Sequence, residues 1–175
     1  ILLKVIKFNN AEVIFESSEE VILALQSSHE ELYRMRLSNL NNDELKLAQI
    51  ISAFEISVEQ TVLAALLDVS HEKLKSILNE LEKKNIIDSL SLSNAPRINS
   101  FNFNKYIYST INNRIKFHIV LANSIKKLFA DFNIMELARQ FELANEYEQS
   151  VEFLKKEILQ AEEINAFTYK RSLLE

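Results

Sequence analysis

The three histidines are the side chains best suited to metal binding or proton transfer, and they lie far apart in the sequence. His29, His71 and His118 show none of the short spacings, such as His-x-x-x-His, that place two ligands on one helix face. The chain contains no cysteine, which excludes thiolate metal sites and disulfides. A structural role is therefore the preferred interpretation for all three histidines.

Paired carboxylates could serve as a general acid and base, but here the paired residues are adjacent in the sequence, as in Glu19-Glu20, Glu30-Glu31 and Glu162-Glu163. Adjacent residues on a helix do not face one another. Glutamates in a first helical turn are better explained by the helix dipole. We therefore predict that this chain has no catalytic residue, no cofactor-binding residue and no metal ligand.

The 175 residues include no glycine. Phosphate-binding loops and dinucleotide fingerprints need glycine for tight turns and close backbone approach. The nucleophile elbow of hydrolases and the glycine-rich loop of kinases need it too. The absence favours a non-catalytic helical protein that acts through interactions.

Composition indicates a folded chain, because 47% of the residues are hydrophobic and only one is proline. No apolar run approaches the roughly 20 residues of a membrane span, and no signal peptide is visible. We expect a cytoplasmic piece of a longer protein, since the sequence opens on Ile1. A net charge of −5 argues against a surface devoted to nucleic acid.

The elements that must position any site are predicted to be mainly helical. In residues 1–40 the sequence predicts the tail of an apolar helix over Ile1–Phe8, followed by a small hairpin with a strand over Ala11–Glu16. A linker helix is predicted to begin at a capping box on Ser28. Asn41, Ser57 and Ser70 each precede an apolar helical pattern.

A strand-like stretch, Asn85–Leu92, follows these three helices, with a loop over Ser93–Asn99 and a returning strand over Ser100–Asn104. Three helices and a β-ribbon are the order of a winged helix-turn-helix, which we place at residues 41–103. Residues 104–175 are predicted to form antiparallel helical hairpins. One hairpin matches the spacing of tetratricopeptide signature positions, namely Ile134, Leu137, Ala138, Phe141, Tyr147, Ser150 and Leu154.

The order of these parts resembles that of signal-transduction ATPases with numerous domains (STAND proteins), in particular the large ATP-dependent LuxR-type regulators similar to the maltose activator. LYRMRLSNLNNDELKLAQIISAF (Leu32–Phe54) resembles the stretch that follows their ATPase core, and Val58–Ile87 resembles their winged helix. FNFNKYIYSTI (Phe101–Ile111) and Glu136–Lys156 are similar to the elements that lead into their helical sensor. Residues 1–15 resemble the last lid helix and hairpin. Lys105 stands where the family has a histidine.

The helix Ser70–Lys84 would be the recognition helix of a DNA-binding winged helix, but its acidic residues would repel phosphate. Protein docking is therefore favoured over base readout. The possible interaction face comprises Lys73, Lys75, Asn79, Lys83, Lys84 and Arg97. A possible interdomain hinge comprises Tyr106, Tyr108, Phe117 and Phe132. A basic cluster of Arg114, Lys116, Lys126 and Lys127 could meet an acidic partner.

The resemblance implies a non-catalytic regulatory and protein-interaction fragment that links the nucleotide state of an ATPase to a helical sensor. The expected partners are the ATPase domain of the same protein, an effector protein, or both. Two alternatives stay open: a DNA-binding winged-helix regulator with a helical dimerisation tail, and a winged-helix scaffold subunit of a larger assembly.

Overall fold

The computed structural model describes residues 6–9, 12–15, 19–88 and 95–163. This part of the chain is mainly helical and divides into two compact units, at residues 1–40 and 41–175. No helix among the described residues is both long enough and apolar enough to cross a lipid bilayer.

The first unit holds a β-hairpin and one long helix. Strands β1 (Ile6–Asn9) and β2 (Glu12–Phe15) pair antiparallel, and α1 (Glu19–Ser38) follows. The strand predicted over Ala11–Glu16 is confirmed at its described residues. The helix tail predicted over Ile1–Phe8 is wrong at Ile6–Phe8, where apolar residues alternate with Lys7 as in a strand. The predicted helix start at Ser28 is also wrong, because α1 already begins at Glu19.

The second unit opens with α2 (Asn42–Ser52), α3 (Gln60–Leu67) and α4 (His71–Lys83). The predicted cap of α2 is confirmed as a capping box: the Asn41 side chain accepts from the Glu44 amide, and the Glu44 carboxylate accepts from the Asn41 amide. Ser70 caps α4 as predicted. Ser57 does not cap α3, because the helix begins at Gln60 and its N-cap residue is Glu59, which makes no side-chain capping bond. The Ser57 hydroxyl instead accepts a hydrogen bond of 2.6 Å from Arg97 Nε.

A short antiparallel ribbon follows α4. Ile87 pairs with Ile98, the Asp88 amide donates to the Arg97 carbonyl, and the Asn99 amide donates to the Ile86 carbonyl. The returning strand predicted over Ser100–Asn104 is wrong. Ser100 caps α5 (Phe101–Ser109), which buries Phe103 and Ile107 one helical turn apart against α2. The predicted boundary at residue 103 therefore falls inside a helix, and residues 89–94 of the predicted strand and loop lie outside the described residues.

Three helices follow in the described part of this unit: α6 (Arg114–Leu128), α7 (Ile134–Leu143) and α8 (Tyr147–Glu163). Helix α7 packs on both neighbours, and Phe141 stacks on Phe153 of α8 with ring centroids 5.5 Å apart. Small residues Ala138 and Ser150 are buried between the helices, whereas Tyr147 is 60% exposed. The predicted helical hairpin is present in these residues, and residues 164–175 lie outside the described part.

Three helices of this glycine-free chain end in the same hydrogen-bonded turn, the Schellman motif, which usually places glycine at a left-handed residue. Here that residue is Asp68, Asn85 or Asn145, with φ of 58°, 54° and 60°. In each motif one amide donates to the carbonyl five residues earlier, and the preceding amide donates to the carbonyl three residues earlier. The donor–acceptor pairs are Val69–Ala64 with Asp68–Ala65, Ile86–Leu81 with Asn85–Glu82, and Glu146–Phe141 with Asn145–Glu142. Asn and Asp tolerate left-handed backbone better than other non-glycine residues.

Candidate functional site

A buried polar network lies where α2, α5, α6 and α7 meet. Its centre is His118 on α6, whose side chain is fully buried. The Nε2 atom lies 2.8 Å from the Tyr108 hydroxyl, and Nδ1 lies 2.6 Å from Gln140 Oε1. Leu121, Ala122 and Ile125 continue the buried side of α6, so its amphipathic pattern turns His118 inward.

The hydrogen-bond partners of Gln140 fix the tautomer of His118. Gln140 Nε2 donates to the Ala53 carbonyl at 3.0 Å and to Glu136 Oε1 at 2.7 Å. Its amide oxygen therefore faces the imidazole, so Nδ1 of His118 donates to it. In the neutral histidine, Nε2 then accepts a hydrogen bond from the Tyr108 hydroxyl.

Arg139 extends the network to the end of α2. Its Nη1 atom donates to the Ala53 carbonyl at 3.0 Å and to Glu136 at 2.9 Å, and its Nε atom pairs with Glu55 at 2.8 Å. The last carbonyls of a helix have no partner within the helix. Arg139 and Gln140 of α7 both donate to the Ala53 carbonyl at the end of α2, so the network fixes the position of α7 relative to α2.

Burial shifts the pKa values of both titratable groups at the centre. Burial lowers the pKa of His118, partly offset by its hydrogen bond to Gln140, and the charges of Arg139 and Arg114 lower it further. Burial raises the pKa of Glu136, and the hydrogen bond from Gln140 and the charge of Arg139 act in the opposite direction. Neutral His118 is therefore favoured in the folded protein at physiological pH.

This network is suited to holding helices together and not to chemistry on a substrate. His118 has no exposed surface, and both of its ring nitrogens are engaged within the protein. A general base must come within hydrogen-bond reach of the proton that it removes. His118 would reach a substrate only if the helices separated.

The four residues predicted as a hinge do not form one cluster. Tyr108 and Phe117 surround His118, with ring centroids 5.8 and 5.9 Å from the imidazole. Phe132 instead packs on Phe54 at the end of α2, with centroids 6.2 Å apart. Tyr106 is half-buried on α5.

Sequence reasoning missed the α7 members of the network, Glu136, Arg139 and Gln140. Their signal was a glutamate and a glutamine four residues apart beside the buried Leu137 and Phe141. Polar residues on an apolar stripe must find hydrogen bonds inside the protein.

The residues predicted as an interaction face differ in how the structure uses them. Lys84 pairs with Glu44 at 2.6 Å, and because the Glu44 side chain is 3% exposed, this pair helps join α4 to α2. Arg97 binds Ser57, so both Lys84 and Arg97 have structural roles. Lys73 and Lys83 form exposed ion pairs, with Asp43 at 3.5 Å and Glu80 at 2.7 Å respectively.

Lys75 and Asn79 remain as exposed members of this face. With Glu72 and Lys83 they are spaced by three, four and four residues, which places all four on one stripe of α4. Within the described residues, no group of three or more histidine, cysteine, aspartate or glutamate side chains is placed to hold a metal ion.

Comparisons with protein-family models, with curated proteins and with solved structures returned no match to this chain.

Proposed function

We propose that this chain is a non-catalytic regulatory and protein-interaction part of a STAND-type ATPase, linking nucleotide state to a helical sensor. The observation that carries the proposal is the buried network of Tyr108, His118, Gln140, Glu136 and Arg139. It ties the end of α2 to α7, so a displacement of the helical hairpin strains the first three helices of the unit.

The arrangement of α2, α3, α4 and the ribbon supports a winged-helix interpretation. Three helices are followed by an antiparallel pairing of Ile87 with Ile98, in the order that the resemblance implies. The burial of Ala138 and Ser150 between α7 and α8 supports a tetratricopeptide-like interpretation, because that repeat uses small residues where its helices approach closely.

In the proposed mechanism the exposed stripe of α4 docks on the nucleotide-binding domain in the ADP state. Lys75 supplies positive charge there, and Lys83 adds to it while paired with Glu80. Glu72 on the same stripe limits the attraction to phosphate. Binding of an effector to the helical hairpin would shift α7, and the network would pass that shift to α2. The docked contact would then weaken and permit ATP exchange.

Charge reversal on the α4 stripe tests this function in the intact polypeptide that contains this chain. We expect the double variant Lys75→Glu/Lys83→Glu to exchange ADP faster than wild type, because the docked state loses two favourable charges. The matched control reverses the exposed Lys105 and Lys155. An unchanged exchange rate in a folded double variant would count against docking through α4.

A DNA-binding winged helix is the second candidate, favoured by the exposure of Lys75 and Asn79 on the helix that would enter the major groove. Glu72, Glu80 and Glu82 on the same helix argue against it. Duplex DNA binding that falls steeply between 50 and 200 mM salt (roughly the range over which phosphate contacts are lost) would favour this alternative. We expect no such binding.

A further inference from the structure

Helix α6 has a charge pattern opposite to that of the whole chain. The chain has 25 acidic and 20 basic residues, yet α6 (RIKFHIVLANSIKKL) contains four basic residues and no acidic residue. A helix of this composition creates a local positive potential on a protein whose net charge is negative.

The outer side of α6 combines positive charge with an exposed apolar residue. Lys116, Val120, Asn123 and Lys127 are spaced by four, three and four residues, so they form one stripe opposite the buried residues of the helix. Val120 is 57% exposed. The two lysines are about 16 Å apart along the helix, which is about three turns.

A groove borders this stripe. Its volume is about 390 Å³, and it lies between α2, α3 and α6. Leu66, Phe117 and Val120 form part of its apolar lining, and Lys46 and Lys116 line it as well. None of the described residues that line it is acidic, so the groove offers apolar surface beside positive charge.

The lysines of this surface differ from their neighbour Lys126 in having no acceptor among the described residues. Lys126 donates to Gln149 at 3.1 Å and lies over the rings of Phe141 and Phe153. Lys46, Lys116 and Lys127 are exposed and make no such contact within the described part of the chain. Their charges are therefore available to a partner.

We propose that this surface, formed by Lys46, Lys116, Lys127, Phe117 and Val120, docks an acidic amphipathic helix of a partner protein. An apolar side chain of the partner would enter the groove, and carboxylates on the flanks of its helix would pair with the lysines. Charge complementarity selects an acidic partner, and the exposed Val120 favours protein over DNA, because phosphates gain nothing from an apolar contact. This surface is separate from the α4 stripe, so the proposal does not depend on whether α4 docks on the nucleotide-binding domain.

A synthetic peptide tests the proposal with the full 175-residue chain. The probe is a fluorescein-labelled helical 15-mer with leucines at positions i, i+4 and i+7 and glutamates on both flanks. The comparison peptide has lysines in place of those glutamates. We expect fluorescence anisotropy to show binding of the acidic peptide only, with Kd raised about tenfold in Lys116→Glu/Lys127→Glu, because two exposed ion pairs become repulsive.

Three further variants make the result decisive. Val120→Asp is expected to weaken binding through the groove, whereas Lys155→Glu and the α4 variant Lys75→Glu/Lys83→Glu are expected to bind as wild type. Circular dichroism establishes that each variant is folded. The proposal is overturned by equal binding of the two peptides, by unchanged binding in the α6 variant, or by α6-dependent binding of duplex DNA or phosphatidylserine vesicles without binding of the acidic peptide.

Discussion

Replacing Asp68 with glycine is expected to stabilise the protein. Asp68 has φ of 58° at the C-terminal end of α3. Left-handed backbone costs a non-glycine residue about 1–2 kcal/mol, and aspartate pays the lower part of that range. Glycine relieves this strain but loses about 0.4–1 kcal/mol through greater freedom of the unfolded chain. The backbone gain is therefore about 0.5 kcal/mol.

Charge adds to this gain, because a carboxylate at a helix C-terminus is repelled by the helix dipole by about 0.3–1 kcal/mol. The expected total for Asp68→Gly is about 1 kcal/mol. Asp68→Asn isolates the charge contribution, since asparagine keeps the tolerance for positive φ. Asp68→Ala isolates the backbone contribution, and it is expected to be about 1 kcal/mol less stable than Asp68→Gly.

Urea unfolding followed by circular dichroism at 222 nm measures these differences as shifts in the midpoint at constant slope. The glycine variant is expected to be more stable than the asparagine variant, and the asparagine variant more stable than the wild type. The alanine variant is expected to be less stable than the glycine variant. Equal stability of the glycine and alanine variants would refute the claim that left-handed strain is stored at this position.

Three further changes test the buried contacts. Because the pKa of His118 is lowered on folding, the neutral imidazole contributes stability that is present above pH about 6.5 and is lost as pH falls. The thermal unfolding midpoint of the wild type should therefore fall between pH 7.5 and 5.5, and it should fall less in His118→Gln. Lys84→Met removes the cation paired with the buried Glu44 carboxylate, which keeps its hydrogen bond from the Asn41 amide, and is expected to cost about 2 kcal/mol. Lys83→Met should leave the urea midpoint unchanged, and equal effects of the two variants would contradict the structural role of Lys84. Gln140→Leu removes the partner of His118 and is expected to lower stability by about 2–3 kcal/mol in the same assay, and a neutral effect would contradict the network.

Local patterns predicted two helix starts correctly, at Asn41 and Ser70, because a cap acts within one turn. The starts predicted from Ser28 and Ser57 were wrong, since α1 begins at Glu19 and the N-cap residue of α3 is Glu59. The same local reasoning failed at Ser100, where SFNFN alternates like a strand but buries Phe103 on a helix. The helix at this position depends on packing against α2, and a local sequence pattern carries no information about that contact.

The candidate site was harder to predict, because its contacts join distant residues. Gln140 meets His118 from 22 positions away and the Ala53 carbonyl from 87 positions away. The aromatic cluster around Tyr108 was visible in the sequence, but the use of its hydroxyl was not. Similarly, Lys84 looked like a surface lysine until its pairing with Glu44, 40 positions away, was known.

Sequencing the intact polypeptide upstream of Ile1 is the decisive test of the proposal that this chain is part of an ATPase switch. We expect a strand, a G-x-x-x-x-G-K-(S/T) loop and a helix within roughly 300 residues, the length of one or two domains. An initiator methionine immediately before Ile1, with no such motif in the protein, would contradict the claim and leave a stand-alone binding protein as the better account.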